Sequence, residues 1–219
     1  MIKLCDKNNC TQCYSCGSAC PRKSINFVNA GDGFYVPEID KDLCIECGLC
    51  VKSCHIISPN RIRQEPRYTY AAWNKNLNIR KKSSSGGVFT AIAEYVIMHG
   101  GVVYGSTMDK LKVKHIRVDK VEELSKLRGS KYLQSNMMGV YESVKRDLKN
   151  NQSVFFVGTP CQVSGLYSFL RREYDNLITA DLVCHGVPSQ ELFDKYLNKI
   201  GLGIENTREI IFRLRYDRR

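Results

Sequence analysis

From Arg67 onward the chain alternates between two hydrophobic periods. Short apolar runs at Tyr68–Trp73, Val102–Tyr104, Val113–Val118, Val154–Val157, Leu177–Val183 and Arg208–Leu214 read as strands. Between them the period lengthens. Val88, Ala91, Ile92, Tyr95 and Val96 fall at helical spacing, with Ser84 or Ser85 as a cap and Gly100-Gly101 as a stop. Val121–Leu127 reads as a short helix. Asn136 caps a longer one whose apolar face is Met137, Val140, Tyr141, Val144 and Leu148. Helices are also expected after Val157 to about Glu173 and from Pro188 to Ile200. Strands alternating with helices predict a mixed sheet flanked by helices, an α/β domain over residues 67–219. Residues 61–66, between Asn60 and Arg67, are polar, basic and ended by Pro66, and read as a linker.

Residues 1–60 follow a different pattern. Two runs dominate them, Cys10-Thr-Gln-Cys13-Tyr-Ser-Cys16-Gly-Ser-Ala-Cys20 and Cys44-Ile-Glu-Cys47-Gly-Leu-Cys50-Val-Lys-Ser-Cys54. Each has the C-x2-C-x2-C-x3-C spacing by which two-cluster bacterial ferredoxins bind 4Fe–4S cubanes. Three close cysteines grip one cube, and the fourth reaches the other. The spacing therefore assigns one cluster to Cys10, Cys13, Cys16 and Cys54, and the second to Cys44, Cys47, Cys50 and Cys20. Paired zinc sites are the competing reading, but zinc usually takes two C-x-x-C pairs split by a longer loop. Ile25–Val28 and Tyr35–Val36 read as a hairpin turning at Gly31-Asp32-Gly33. The whole is expected to be α+β, a ferredoxin domain followed by the α/β domain. Cys5 reads as a spare thiol, and His55 as a surface or supporting residue.

Composition changes this picture little. The chain has 219 residues, 43% hydrophobic and 25% charged, with no apolar run of membrane-spanning length and no apolar leader. Eleven cysteines, eight of them at cluster spacing, point to a reducing compartment and a cytoplasmic location. The formal charge of +11 fits anionic cofactors and an acidic redox partner, or simply a solvated basic surface. No nucleic-acid motif accompanies it. No hydrolytic triad or carboxylate pair stands out either.

Three stretches of the second domain are candidate sites. Ser83-Ser-Ser85-Gly86-Gly87-Val88 opens a helix, where free N–H groups suit a phosphate; an ordinary helix cap has the same sequence. Arg128-Gly129-Ser130-Lys131-Tyr132 offers cations and a ring, or a solvated loop. Gly158-Thr-Pro-Cys161 places a thiol between a strand and a helix start, where the thiol pKa is expected to fall. Cys184-His185 closes the next strand, so both thiols would lie at one sheet edge, as reactive groups or as small buried side chains.

In this order the cysteine runs, SSSGGVFTAI, RGSKYLQS, FVGTPCQVSGL and DLVCHGVPS resemble the coenzyme F420 hydrogenase/dehydrogenase beta-subunit family, in particular bacterial members with a fused two-cluster ferredoxin head. The resemblance spans about residues 5 to 215. It implies an iron–sulfur flavoprotein that passes electrons between clusters, FAD and a carrier such as ferredoxin, NAD(P)H or a deazaflavin, with a partner subunit possible. It implies that Ser85, Gly86, Gly87 and Val88 face one side of the flavin and that Gly129, Ser130, Lys131 and Tyr132 face the other. Cys161 and Cys184 resemble two of four cysteines that hold an extra cluster. Family members continue past the position of Arg219 with another C-x-x-C pair. On that comparison the second domain is expected to be incomplete at its C-terminus, which counts against a third 4Fe–4S cluster. A non-catalytic electron-transfer module with a docking domain is the alternative expectation.

Overall fold

The computed structural model describes residues 2–59, 67–203 and 205–213. The predicted linker at 61–66 and the end of the last predicted strand, from Leu214, lie outside the described residues.

The cysteine runs fold as two copies of one local design. In the first, Gln12 and Tyr14 take positive φ of 54° and 65°; in the second, Glu46 and Gly48 take 52° and 71°. These are the same positions of each run. Left-handed backbone costs a side-chain-bearing residue about 1–2 kcal/mol, so the surroundings must enforce it at Gln12, Tyr14 and Glu46. Each second kink starts a short helix, α1 (Ser15–Ala19) and α2 (Leu49–Lys52). Between the runs, β1 (Ile25–Asn29) and β2 (Tyr35–Ile39) form the antiparallel hairpin, with Ile25 opposite Ile39.

After α3 (Leu77–Lys81) comes α4 (Val88–Met98). Then follow β3 (Val102–Asp109), β4 (Lys112–Val118), a 3₁₀ segment (Val121–Lys126) and α5 (Val140–Lys149). The chain continues through β5 (Val154–Gly158), α6 (Pro160–Leu170), β6 (Leu177–Asp181) and α7 (Gln190–Lys199). The sheet order is β4-β3-β5-β6, antiparallel between β3 and β4 and parallel across β3, β5 and β6. Strand alternation feeds two cores. Val102, Tyr104, Val154 and Phe156 pack with α5 and α6, while Val103 and Phe155 pack with Ala93, Val96, Leu124 and Leu127 on the opposite face. The expected mixed sheet flanked by helices is what the chain forms.

Several local expectations differ from the structure. Tyr68–Trp73 is not a strand; it runs as exposed coil, with Tyr70 79% exposed. The described part of 208–214 is not a strand either. α4 is capped by Gly87 at φ 77°, not by a serine, and α5 by Gly139 at φ 76°, not by Asn136. α4 also buries Thr90, Ala93 and Val96, leaving Ile92 and Tyr95 exposed. The predicted face shares only Val96 with the buried one. α6 stops at Leu170, where Arg171 turns left-handed.

The ferredoxin unit is packed into the second unit. The Tyr14 ring belongs to the α5–α6 core, with Ala19 and Phe27 against it. Burying a large apolar side chain contributes about 1.5–3 kcal/mol, so Tyr14 couples the folding of both units. The Ser15 hydroxyl proton is shared between Ser53 O at 2.7 Å and Gly165 O at 3.0 Å, tying both cysteine runs to α6. At the hairpin tip, Ser189 Oγ donates to Asp32 O at 2.9 Å.

Candidate functional site: two cysteine-rimmed cavities and a basic cleft

Each cysteine set borders its own cavity. One is lined by Cys10, Cys13, Cys16 and Cys54 together with Tyr14, Phe27, Pro37 and Ile56. The other is lined by Cys20, Cys44, Cys47 and Cys50 with Ile25 and Ile45. The fourth cysteine of each run thus lies with the three of the other run. Among the described residues no three His, Cys, Asp or Glu side chains converge on a single-ion position. The thiols stand around a space instead. Burial pushes the Cys13 thiol up to about 12 and raises Cys10 and Cys16 as well. In such dry surroundings thiolates are stable only beside a cationic centre. Backbone and hydroxyl groups add to the second cavity: Ser24 N donates to Cys20 Sγ at 3.3 Å and Ser24 Oγ lies 3.1 Å from it. At the first, Thr11 Oγ1 is 2.9 Å from His55 Nε2, joining the end of one run to the start of the other.

Cys5, read as a spare thiol, lines the first cavity too and interacts electrostatically with Cys54.

The Ser-Gly and Arg-Gly-Ser-Lys stretches meet. Ser130 N donates to Ser84 Oγ at 2.8 Å. Ser83, Ser84 and Arg128–Lys131 line an open cleft, along with Lys81, Lys82, Lys110, Lys126, Arg208 and Arg213. Among the described residues Glu209 is the one carboxylate on its wall. Lys131 is partly buried, and desolvation lowers its pKa to about 8. Among the described residues its Nζ donates only to the carbonyls of Arg128 (3.0 Å) and Lys126 (3.3 Å), with no carboxylate to match its charge. Tyr132 is exposed, edge-on to Phe212, a residue of the cleft. Ser85 is exposed and Val88 opens α4. Gly86 and Gly87 turn to the protein's own chain: a methyl at Gly86 would stand 2.8 Å from Ala72 O, and Asn74 N donates to Gly86 O at 2.7 Å.

One residue of the same stretch reaches the cysteines. Gln134 Nε2 donates at 3.2 Å to the carbonyl of Gln12, between Cys10 and Cys13. Behind the cleft, His115 is buried on β4. Its ring lies 2.7 Å from Ser135 Oγ through Nδ1 and 3.0 Å from Val157 O through Nε2, so Nε2 carries the proton and Nδ1 accepts. Burial pushes its pKa down to about 4, with the Lys131 charge adding to the effect. Sequence reasoning passed over His115, although strand alternation puts this polar residue on the face of Val113.

Cys161 sits in the first turn of α6, whose start is fixed by a capping box of Thr159 and Gln162 and by Pro160. Its thiol pKa is raised, contrary to the sequence expectation: burial outweighs the Thr159 hydroxyl 3.0 Å away. β5 and β6 pair in parallel with Gly158 opposite Asp181, so Cys161 and the exposed Cys184 follow the same ends of neighbouring strands and interact electrostatically. Cys161 also interacts with Cys13 across the α1–α6 contact.

The chain is thus a ferredoxin-type cysteine domain docked on a three-layer α/β unit. Comparison with known proteins agrees, residues 9–56 matching the 4Fe–4S dicluster domain. The chain belongs to the coenzyme F420 hydrogenase/dehydrogenase beta-subunit family, whose N-terminal model matches residues 69–142 and whose C-terminal model matches residues 151–216. It is 37% identical over 75 residues to an iron–sulfur subunit of the CoB–CoM heterodisulfide reductase of Methanocaldococcus jannaschii, covering 28% of this chain and 11% of that protein. It is 39% identical over 62 residues to one subunit of the H(2):CoB–CoM heterodisulfide,ferredoxin reductase of Methanothermobacter thermautotrophicus, covering 22% and 9%. The chain thus matches only about a tenth of the length of these curated relatives. A solved structure of the F420-reducing [NiFe] hydrogenase complex from Methanosarcina barkeri aligns at TM-score 0.49 and 19% identity, over 68% of this chain and 58% of that one. No helix among the described residues is long and apolar enough to cross a membrane.

Proposed function

We propose that this chain is an electron-relaying flavoprotein in which two 4Fe–4S clusters exchange electrons with FAD. Cys10, Cys13, Cys16 and Cys54 hold one cluster; Cys44, Cys47, Cys50 and Cys20 hold the other. The donor set fits: the four thiols of each set line one cavity. A single tetrahedral zinc with bonds near 2.3 Å would need sulfurs drawn to about 3.8 Å of one another. When bound, the clusters supply one-electron chemistry and the flavin joins it to two-electron chemistry.

The residues of the chain have separate tasks. Gln12, Tyr14, Glu46 and Gly48 fold the loops so that three thiols share one side. Lys131, Lys126 and Arg128 supply positive charge for the flavin's diphosphate; Ser83, Ser84 and Gly129–Lys131 line the cleft, and Ser85–Val88 and Tyr132 are proposed to border the bound flavin. The buried neutral His115 ties β4 to the end of β5 across β3 and carries no mobile proton near neutral pH. The observation that carries this reading is the Gln134–Gln12 hydrogen bond, since one short stretch of chain both lines the basic cleft and touches the first cysteine loop. A carrier such as ferredoxin, NAD(P)H or a deazaflavin, or a partner subunit, exchanges electrons with this relay. The third cluster is left out of the proposal; Cys161 and Cys184 enter it only as thiols.

Anaerobically reconstituted protein should bind FAD stoichiometrically, and its bound flavin should be reduced when the clusters are. Cluster absorbance without flavin, even with FAD in excess, would leave the chain a ferredoxin-like module with a docking domain.

A further inference from the structure

Cys54 is the one member of its set that does not come from the local loop. Cys10, Cys13 and Cys16 are oriented together by the left-handed turns at Gln12 and Tyr14. Cys54 arrives from the far end of α2, its N–H bonded to Val51 O at 3.1 Å. At the same corner a second thiol is waiting. Cys5 lines the same cavity as Cys54 and interacts with it electrostatically. It lies on a stretch without helix or strand, held near the loop by Asn9 N and Cys10 N, both donating to Asp6 O at 3.0 Å. Among the described residues the second cavity has no such feature: its lining carries four cysteines, and Ile2 is what the N-terminal segment contributes there. The two halves of a nearly duplicated motif therefore differ in the number of thiols lining their cavities, a fifth standing beside the first set.

We propose that Cys5 is an alternative fourth ligand of the cluster held by Cys10, Cys13 and Cys16, taking the corner of Cys54 by thiol exchange. This rests on the cluster assignment above. The exchange replaces one iron–thiolate bond by another and moves one proton from the Cys5 thiol to the Cys54 sulfur. No electron is transferred, and no oxidant is needed. Its consequence is a cluster that survives loss or modification of Cys54, the sequence-distant ligand, where its neighbour cluster would not survive loss of Cys20.

The test uses full-length protein reconstituted anaerobically, with iron and acid-labile sulfide counted and EPR recorded in both redox states. Wild type, Cys5→Ala and Cys54→Ala should each retain about eight iron, the content of two cubanes. The Cys5→Ala/Cys54→Ala pair should fall to about half, or show the oxidised signal of a three-iron cluster. Cys16→Ala, at a corner set by the local loop, should lose its cluster with Cys5 present. Cys54→Ala with no more iron than the double variant would overturn the proposal while leaving the assignment standing. Loss of all iron from both Cys54→Ala and Cys54→Ser would overturn it too, because a thiol already at the corner should spare the site. Wild type far short of eight iron would instead refute the cluster assignment.

Discussion

Gly165 stands where the ferredoxin unit meets α6, and Gly165→Ala sets two effects of opposite sign against each other. In mid-helix, alanine is favoured over glycine by about 1 kcal/mol. The new methyl, however, would lie 3.0 Å from both Cβ and Sγ of Cys13 and 2.8 Å from Tyr141 Oη. Carbon contacts are best near about 3.5–4.0 Å, so the loop must retreat by roughly 0.5–1 Å. Overpacking of this kind costs about 1–3 kcal/mol. Tyr141 is fully buried and donates to Gln162 O at 2.8 Å; shifting its hydroxyl puts about 1 kcal/mol more at risk. Packing should therefore win by about 1–2 kcal/mol. In a chain of this size that lowers the melting temperature by roughly 2–8 °C. Iron held against a chelator should fall toward half, lost from the Cys10–Cys13–Cys16 loop while the other set keeps its own. Anaerobic far-UV circular dichroism and iron analysis on reconstituted protein read both numbers. A variant that melts higher and keeps all its iron would show that helix propensity dominates and that α6 does not press on Cys13.

Two further changes address the second unit. His115 is held neutral by burial, with a pKa of about 4, whereas an unfolded histidine titrates near 6.5. Below about 6.5 the unfolded chain takes up a proton the folded one refuses, so stability falls as pH drops toward 4, by about 3 kcal/mol in all. His115→Gln should flatten the melting temperature between these pH values; an unchanged slope would place the acid sensitivity elsewhere. Lys131→Met should weaken FAD binding about tenfold or more, the loss of one charge-assisted bond at roughly 1.5–3 kcal/mol. Flavin fluorescence quenching measures it, and unaltered affinity would remove Lys131 from the flavin site.

The grouping of the cysteines around two cavities was legible because the same spacing recurs in both runs. The turns that make the spacing work were not, since Gln12 and Glu46 carry no glycine-like signal for positive φ. α5 was read correctly face by face because charges fill its outer side, leaving one apolar stripe. α4 is apolar nearly all round, so packing chose Thr90, Ala93 and Val96 where periodicity alone allowed another stripe. Tyr68–Trp73 has the composition of a strand, but pairing with a neighbour makes a strand, and among the described residues none pairs with it. The two cleft motifs were visible separately. Their junction at Ser130 and Ser84, and the bridge from Gln134 to Gln12, join residues far apart in sequence, and only the fold brings those together. Cys161 shows the limit of a local rule: a helix start favours a thiolate, yet burial overrides it.

If the two crossed cysteine sets hold two cubanes, metal and acid-labile sulfide analysis of the anaerobically reconstituted chain should give about eight iron and eight sulfide per chain. Cys20→Ala should then disturb the cluster of Cys44, Cys47 and Cys50 while the EPR of the other is unchanged. A colourless protein carrying about two zinc ions and no sulfide would contradict the cluster assignment.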